Sequence, residues 1–203
     1  GGLPGLQKEG CDGVITGCSF ILHEAYPHKA TACLEFWGPD MEEASRVILG
    51  LKTAFPDEGA ETLQALEHFD DEYVAAIGYK AKAAREGRPR AVLLIDLVGR
   101  EAGQVQRGLA RLQALLQPYR DSELFLAADA SEGAAWWADR KKLGAIARRT
   151  NAFKLNEDVV LPLERLAGFA AFIEARNLAE ERHNHGAAIA GLGASGSPMA
   201  TAP

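Results

Sequence analysis

Residues 90–98 read RAVLLIDLV, a near-continuous apolar run bounded by Pro89 and Gly99. A run this short and this apolar is a buried strand, and a buried strand requires neighbours in a sheet. Candidates for those neighbours stand on both sides of it. Ala30–Trp37 (ATACLEFW) reads as a strand in which Cys33 and Glu35 interrupt an otherwise apolar stretch. Thr62–His68 and Glu123–Ala127 read as two more. Gly13–Leu22 (GVITGCSFIL) reads as a further strand, joined to the next through a connection that holds Pro27.

The intervening segments have helical spacing. Pro39-Asp40 opens a helix, with Asp40 as its cap and Glu43 three residues on; Ala44, Val47, Ile48, Leu51 and Phe55 share a face, and Pro56 stops it. Asp70 is expected to cap a helix through about Arg85, with Val74, Ile77 and Ala81 along one side. Gly99 turns the chain into a helix from about Glu101, whose stripe is Val105, Leu109, Leu112 and Leu116. A helix carrying Trp136 and Arg140 follows, and a last amphipathic helix is expected over 163–182. Two strand–helix–strand units in tandem, 30–68 and 90–127, predict an α+β fold: a ferredoxin-like antiparallel sheet with helices on one face. The stretch from Gly186 onward is alanine-, glycine- and serine-rich without periodicity, and 183–203 is expected to be a disordered tail.

Composition narrows the function. A formal net charge of −6 offers no basic footprint for nucleic acid. No apolar run is long enough to span a bilayer. The cysteines Cys11, Cys18 and Cys33 lack zinc, disulfide or iron–sulfur spacing, which suits a reducing cytoplasm. His183 and His185 stand without a third ligand nearby, so no metal site is read there. Patterns for P-loop, nucleophile-elbow or zinc-protease chemistry are missing. The start at Gly1-Gly2 reads as a cut inside a longer polypeptide.

Two stretches carry a resemblance. KEGCDGVIT (8–16) is similar to the Ser-Glu-Gly-Thr-Leu-Gly-Ile-Ile-Thr motif near the end of the flavin domain in FAD-linked oxidases of the D-lactate, glycolate and D-2-hydroxyglutarate type. Trp137-Ala-Asp-Arg140, followed by KLNEDVVLPLERL (154–166), resembles the cap domain of that family, in wording closest to large bacterial members fused to an iron–sulfur domain. The resemblance implies residues 1–24 as the edge of a flavin-binding domain and 25–182 as the substrate cap. It places flavin contacts on Glu9, Gly10, Gly13, Val14 and Ile15, where glycines permit close backbone approach. It implies FAD in the intact protein, with a divalent metal and an iron–sulfur cluster in parts outside this chain. The reaction implied is hydride transfer from C2 of a D-2-hydroxy acid to flavin N5, with electrons passing to an acceptor other than oxygen. The partners implied are the small anionic substrate and the rest of the flavin domain. The location expected is the cytoplasm, or there the periphery of the inner membrane. No catalytic residue is assigned within the chain.

On the same resemblance Arg140 and Lys154 meet the substrate carboxylate. A guanidinium fork matches two carboxylate oxygens, and an ammonium among Phe153, Leu155 and the apolar run 159–161 is partly desolvated. The plainer readings are a solvated helix charge for Arg140, beside Arg148 and Arg149, and a lysine snorkelling to water. Glu157 and Asp158 either orient these cations or solvate a turn. A non-catalytic α+β module that binds a ligand or a partner protein is the alternative function.

Overall fold

The computed structural model describes residues 14, 16–22, 24–39, 41–56, 61–142 and 159–194, with the side chains of the last stretch described to 186. Four strands form one sheet in the order β2-β3-β1-β4, and each neighbouring pair is antiparallel. They are β1 (His28–Phe36), β2 (Thr62–Asp70), β3 (Ala91–Gly99) and β4 (Ser122–Leu126). Helices α1 (Glu42–Ala54) and α3 (Ala102–Leu116) are the crossovers of the two strand–helix–strand units. This is the ferredoxin-like arrangement expected from the order of elements.

Strand parity divides the sheet into two faces. Ala32, Leu34 and Phe36 of β1, with Leu93, Ile95 and Leu97 of β3, meet Val47, Ile48, Leu51 and Leu112 from α1 and α3 in one core. Every residue of β3 is buried, as the apolar run required. The second face is covered as well. There Cys33, Val92, Leu94 and Phe69 pack beneath the short helix α2 (Asp71–Ala76), the irregular strap 77–90 and α4 (Ala130–Ala138), which brings Trp136 and Trp137.

Four expectations need correction. The helix expected from Asp70 to Arg85 stops at Ala76. Asp70 does cap it, accepting from the Tyr73 N–H at 2.8 Å. Gly78, however, takes φ +62°, and the strap beyond it gives its Lys82 and Ala83 N–H groups to Glu35 instead of to a helical ladder. The strand expected at 13–22 does not form among the described residues, and none of the four strands pairs with it. Phe20, Ile21 and Leu22 lie exposed, because a strand without a neighbour has no ladder to hold it. At α1 the N-cap position is Met41, without a side-chain cap, and Asp40 lies outside the described residues. The last helix, α5 (Leu166–Ala194), runs past the point where a tail was expected. Leu163, in the turn before it, and Leu166 pack on the core, whereas Phe172, Ile173 and Leu178 are exposed, so it is amphipathic only at its start. Residues 195–203 lie outside the described ones.

His68 on β2 has a consequence for acid stability. Its Nε2 is buried with no hydrogen-bond partner among the described residues, and burial holds its pKa below the ordinary 6.5 against the pull of Asp70 and Glu67. The unfolded chain therefore binds the proton first, and stability falls as pH drops from 6.5 toward the folded value. Denaturant midpoints for wild type and His68→Gln should diverge over that window, the variant showing the shallower acid limb.

Candidate functional site

The second face carries charge where strand periodicity alone would place apolar residues. Glu35 on β1 is 0% exposed. Its Oε1 accepts from the Tyr79 hydroxyl at 2.8 Å and the Lys82 N–H at 2.7 Å, and its Oε2 from the Ala83 N–H at 3.0 Å. The carboxylate thereby closes the strap over the sheet. Lys82 donates to the Tyr79 oxygen at 2.8 Å and stands 4.6 Å from the centre of the Trp136 ring, joining strap to α4. Burial raises the pKa of the Cys33 thiol and drives that of the Tyr79 phenol far up, so neither supplies an anion for chemistry. This cluster holds the fold.

Asp96 on β3 is 6% exposed. Its Oδ1 accepts from the Thr31 hydroxyl at 2.6 Å and the Trp137 indole N–H at 3.0 Å, and its Oδ2 from Lys29 Nζ at 3.1 Å. Helix α4 starts under an Asp129 cap, which accepts from the Glu132 N–H at 2.9 Å. It lies directly on β1: a Cβ added at Gly133 would stand 2.8 Å from Thr31 Oγ1. The helix runs into a 3-10 turn, Asp139–Lys142, which presents Arg140. The Tyr73 hydroxyl, 3.0 and 2.9 Å from the carbonyl oxygens of Asp139 and Arg140, ties that turn to α2.

Arg140 Nε donates to Glu67 Oε1 at 2.8 Å. That hydrogen bond, with the Coulomb attraction behind it, raises an already high pKa, so the guanidinium stays charged throughout. Glu67 reaches this face through a register shift. The pairing of β2 with β3 jumps between Leu63 and Ala65, after which Glu67 stands opposite Leu94 and Leu66 opposite Ile95. Without the bulge those two residues would exchange faces. Gln64, Glu67, Trp137, Arg140 and Lys141 line a shallow hollow of about 570 Å³. With two cations against one carboxylate and an indole wall, it suits a small anion.

A larger hollow of about 760 Å³ lies between α2 and α5. Its Arg90 is engaged by Asp71 at 2.6 Å and Glu174 at 3.1 Å, and Asp70, Glu72 and Glu181 also line it. That charge repels an acid, so the hollow at Arg140 is the candidate.

Of the residues expected to form the site, Arg140 is placed at the rim of a hollow. Lys154, its expected companion, lies outside the described residues, as do Glu9, Gly10, Gly13 and Ile15. Val14 is described and is 89% exposed. Glu157 and Asp158 also fall outside. Asp96, Glu67 and Tyr73 were not singled out from the sequence. For Asp96 the signal was available: a carboxylate within the apolar run of a buried strand must find donors. Glu67 depends on the bulge and carries no comparable mark.

The fold is a ferredoxin-like α+β domain, and on its second face an arginine anchored by Glu67 stands over an open hollow. The profile of the family described as FAD linked oxidases, C-terminal domain, matches residues 26–193, and the chain belongs to that family. FAD-linked oxidoreduction is accordingly the chemistry of the intact protein. A comparison with curated proteins found no match. Among the described residues no cluster of histidine, cysteine and carboxylates could hold a metal ion, and no helix is long and apolar enough to cross a membrane.

Proposed function

We propose that this chain is the substrate-side cap, with the edge of the flavin domain, of an FAD-dependent dehydrogenase that oxidises a D-2-hydroxy acid of the D-lactate, glycolate or D-2-hydroxyglutarate type. The observation that carries the reading is Arg140. Its turn is fixed by Tyr73, its Nε edge is held by Glu67, and a hollow opens beside it. A guanidinium held through Nε still offers two terminal nitrogens, enough for a bidentate grip on a carboxylate. Lys154 is assigned the second positive contact, and Val14 with its neighbours the approach to the flavin.

The N-termini of α1 to α4 do not fit a pyrophosphate cradle. Such a cradle uses open N–H groups at a helix N-terminus. Here Asp70 and Asp129 close α2 and α4, and Gln104 Oε1 takes the Arg100 and Glu101 N–H groups ahead of α3. At α1, Glu42 and Glu43 in the first turn repel an anion. This division supports a chain that grips the substrate while the remainder of the protein holds the cofactor.

The test is calorimetric titration of the chain with D-lactate, glycolate and D-2-hydroxyglutarate. Loss of a charge-assisted pair should weaken binding about tenfold to a hundredfold in Arg140→Ala, and comparably in Lys154→Ala. Arg140→Lys should recover only part, since it returns the charge without the fork. Unaltered affinity in both alanine variants would remove the assignment.

A further inference from the structure

We propose that Asp96 is a positioning residue that sets where the Arg140 guanidinium stands, acting through Trp137. The inference deepens the substrate reading above and rests on it for its meaning, though not for its geometry.

Three donors from two elements converge on this one carboxylate. Lys29 and Thr31 come from β1, and the Trp137 indole comes from α4. A carboxylate that is 6% exposed and already holds three donors is committed to those partners, so it does not itself take substrate. What it controls is α4. At the N-terminal half of that helix, Gly133 rests on Thr31, whose hydroxyl is held by Asp96. At its C-terminal end, Trp137 is drawn to the sheet by the same Oδ1. Helix α4 is thus seated at two points, on Thr31 and on the Asp96 carboxylate that holds it. Trp137 and Arg140 line the same hollow, three residues apart, and the turn between them is short. A displacement of the indole is passed to the guanidinium with little slack. Tyr73 on α2 holds the Arg140 backbone carbonyl and Glu67 on β2 holds the guanidinium, which makes its position the meeting point of two anchors.

The test reads hydrogen exchange of two side-chain signals in the ¹⁵N-labelled chain, the Trp137 indole Nε1–H and the Arg140 Nε–H. In Asp96→Ala both should exchange about tenfold faster or more, the scale of a lost hydrogen bond to a charged group. In Asp96→Asn, which keeps Oδ1 as an acceptor, the Arg140 signal should stay close to wild type. Faster exchange at Trp137 with no change at Arg140 would overturn the proposal. Should Asp96→Ala fail to give a dispersed spectrum, Trp137→Phe removes the indole donor and is read at Arg140 alone: its Nε–H should exchange about tenfold faster, and an unchanged Arg140 signal would overturn the proposal. Titration with D-2-hydroxyglutarate separates this proposal from the substrate reading. Weaker binding in Asp96→Ala, restored in Asp96→Asn, supports both. No binding of D-lactate, glycolate or D-2-hydroxyglutarate to wild type, with Arg140 still responding to Asp96→Ala, removes the substrate reading and leaves the positioning link standing.

Discussion

Replacing Glu35 with alanine is expected to cost about 3–5 kcal/mol of stability, because two strap N–H groups and the Tyr79 hydroxyl lose the carboxylate that satisfies them. For a domain of this size that lowers the thermal midpoint by about 6–20 °C. The site is fully buried, so water does not replace the lost acceptor without opening the strap. Glu35→Gln is the discriminating control. The amide keeps one oxygen, for Tyr79 and Lys82, but turns an NH₂ toward the Ala83 N–H, so one bond of three is lost at about 1–3 kcal/mol. Amide exchange locates the effect: Lys82 and Ala83 should lose protection first, followed by α4, which the Lys82 ammonium joins to the strap across Trp136. Alanine and glutamine variants as stable as wild type would show that the strap is held by packing alone.

The same carboxylate shows what was legible in the sequence. Glu35 and Asp96 each sit in the apolar run of a strand, and both proved to be anchors on the second face. The order of strands and long helices followed from strand length, periodicity and the glycine and proline boundaries, so the topology could be read in advance. The strap could not. Val74, Ile77 and Ala81 have helical spacing, yet a backbone turn at Gly78 and an acceptor 47 residues away, Glu35, drew the segment off the helical path. The bulge in β2 left only a faint trace: Leu63 and Leu66 are three residues apart where strict alternation requires two. That single residue decides whether Glu67 meets Arg140. At 13–22 the apolar pattern was plain, but a strand is completed by its neighbour, and pattern does not report whether one is present.

The seating of α4 can be tested by size alone. Gly133→Val is expected to destabilise the chain by about 3 kcal/mol, at the upper end for overpacking a close contact. Its Cβ would begin 2.8 Å from Thr31 Oγ1 and 3.0 Å from Thr31 Cβ, distances at which something must shift. Thr31 is poorly able to yield. It is β-branched, buried on a central strand, and its hydroxyl is held 2.6 Å from Asp96. The gain in helix propensity on replacing glycine is at most about 1 kcal/mol, too small to offset the clash. Relief must then come from α4 lifting away from the sheet, which lengthens the Trp137–Asp96 bond and carries Arg140 with it. A double-mutant cycle identifies the contact: Thr31→Ala alone costs stability through the lost hydrogen bond, but in the Gly133→Val background it should restore part of what valine removed. The two substitutions would thus be strongly non-additive, with the double variant more stable than the sum predicts. Additive losses, measured by urea unfolding, would mean that α4 is not seated on Thr31.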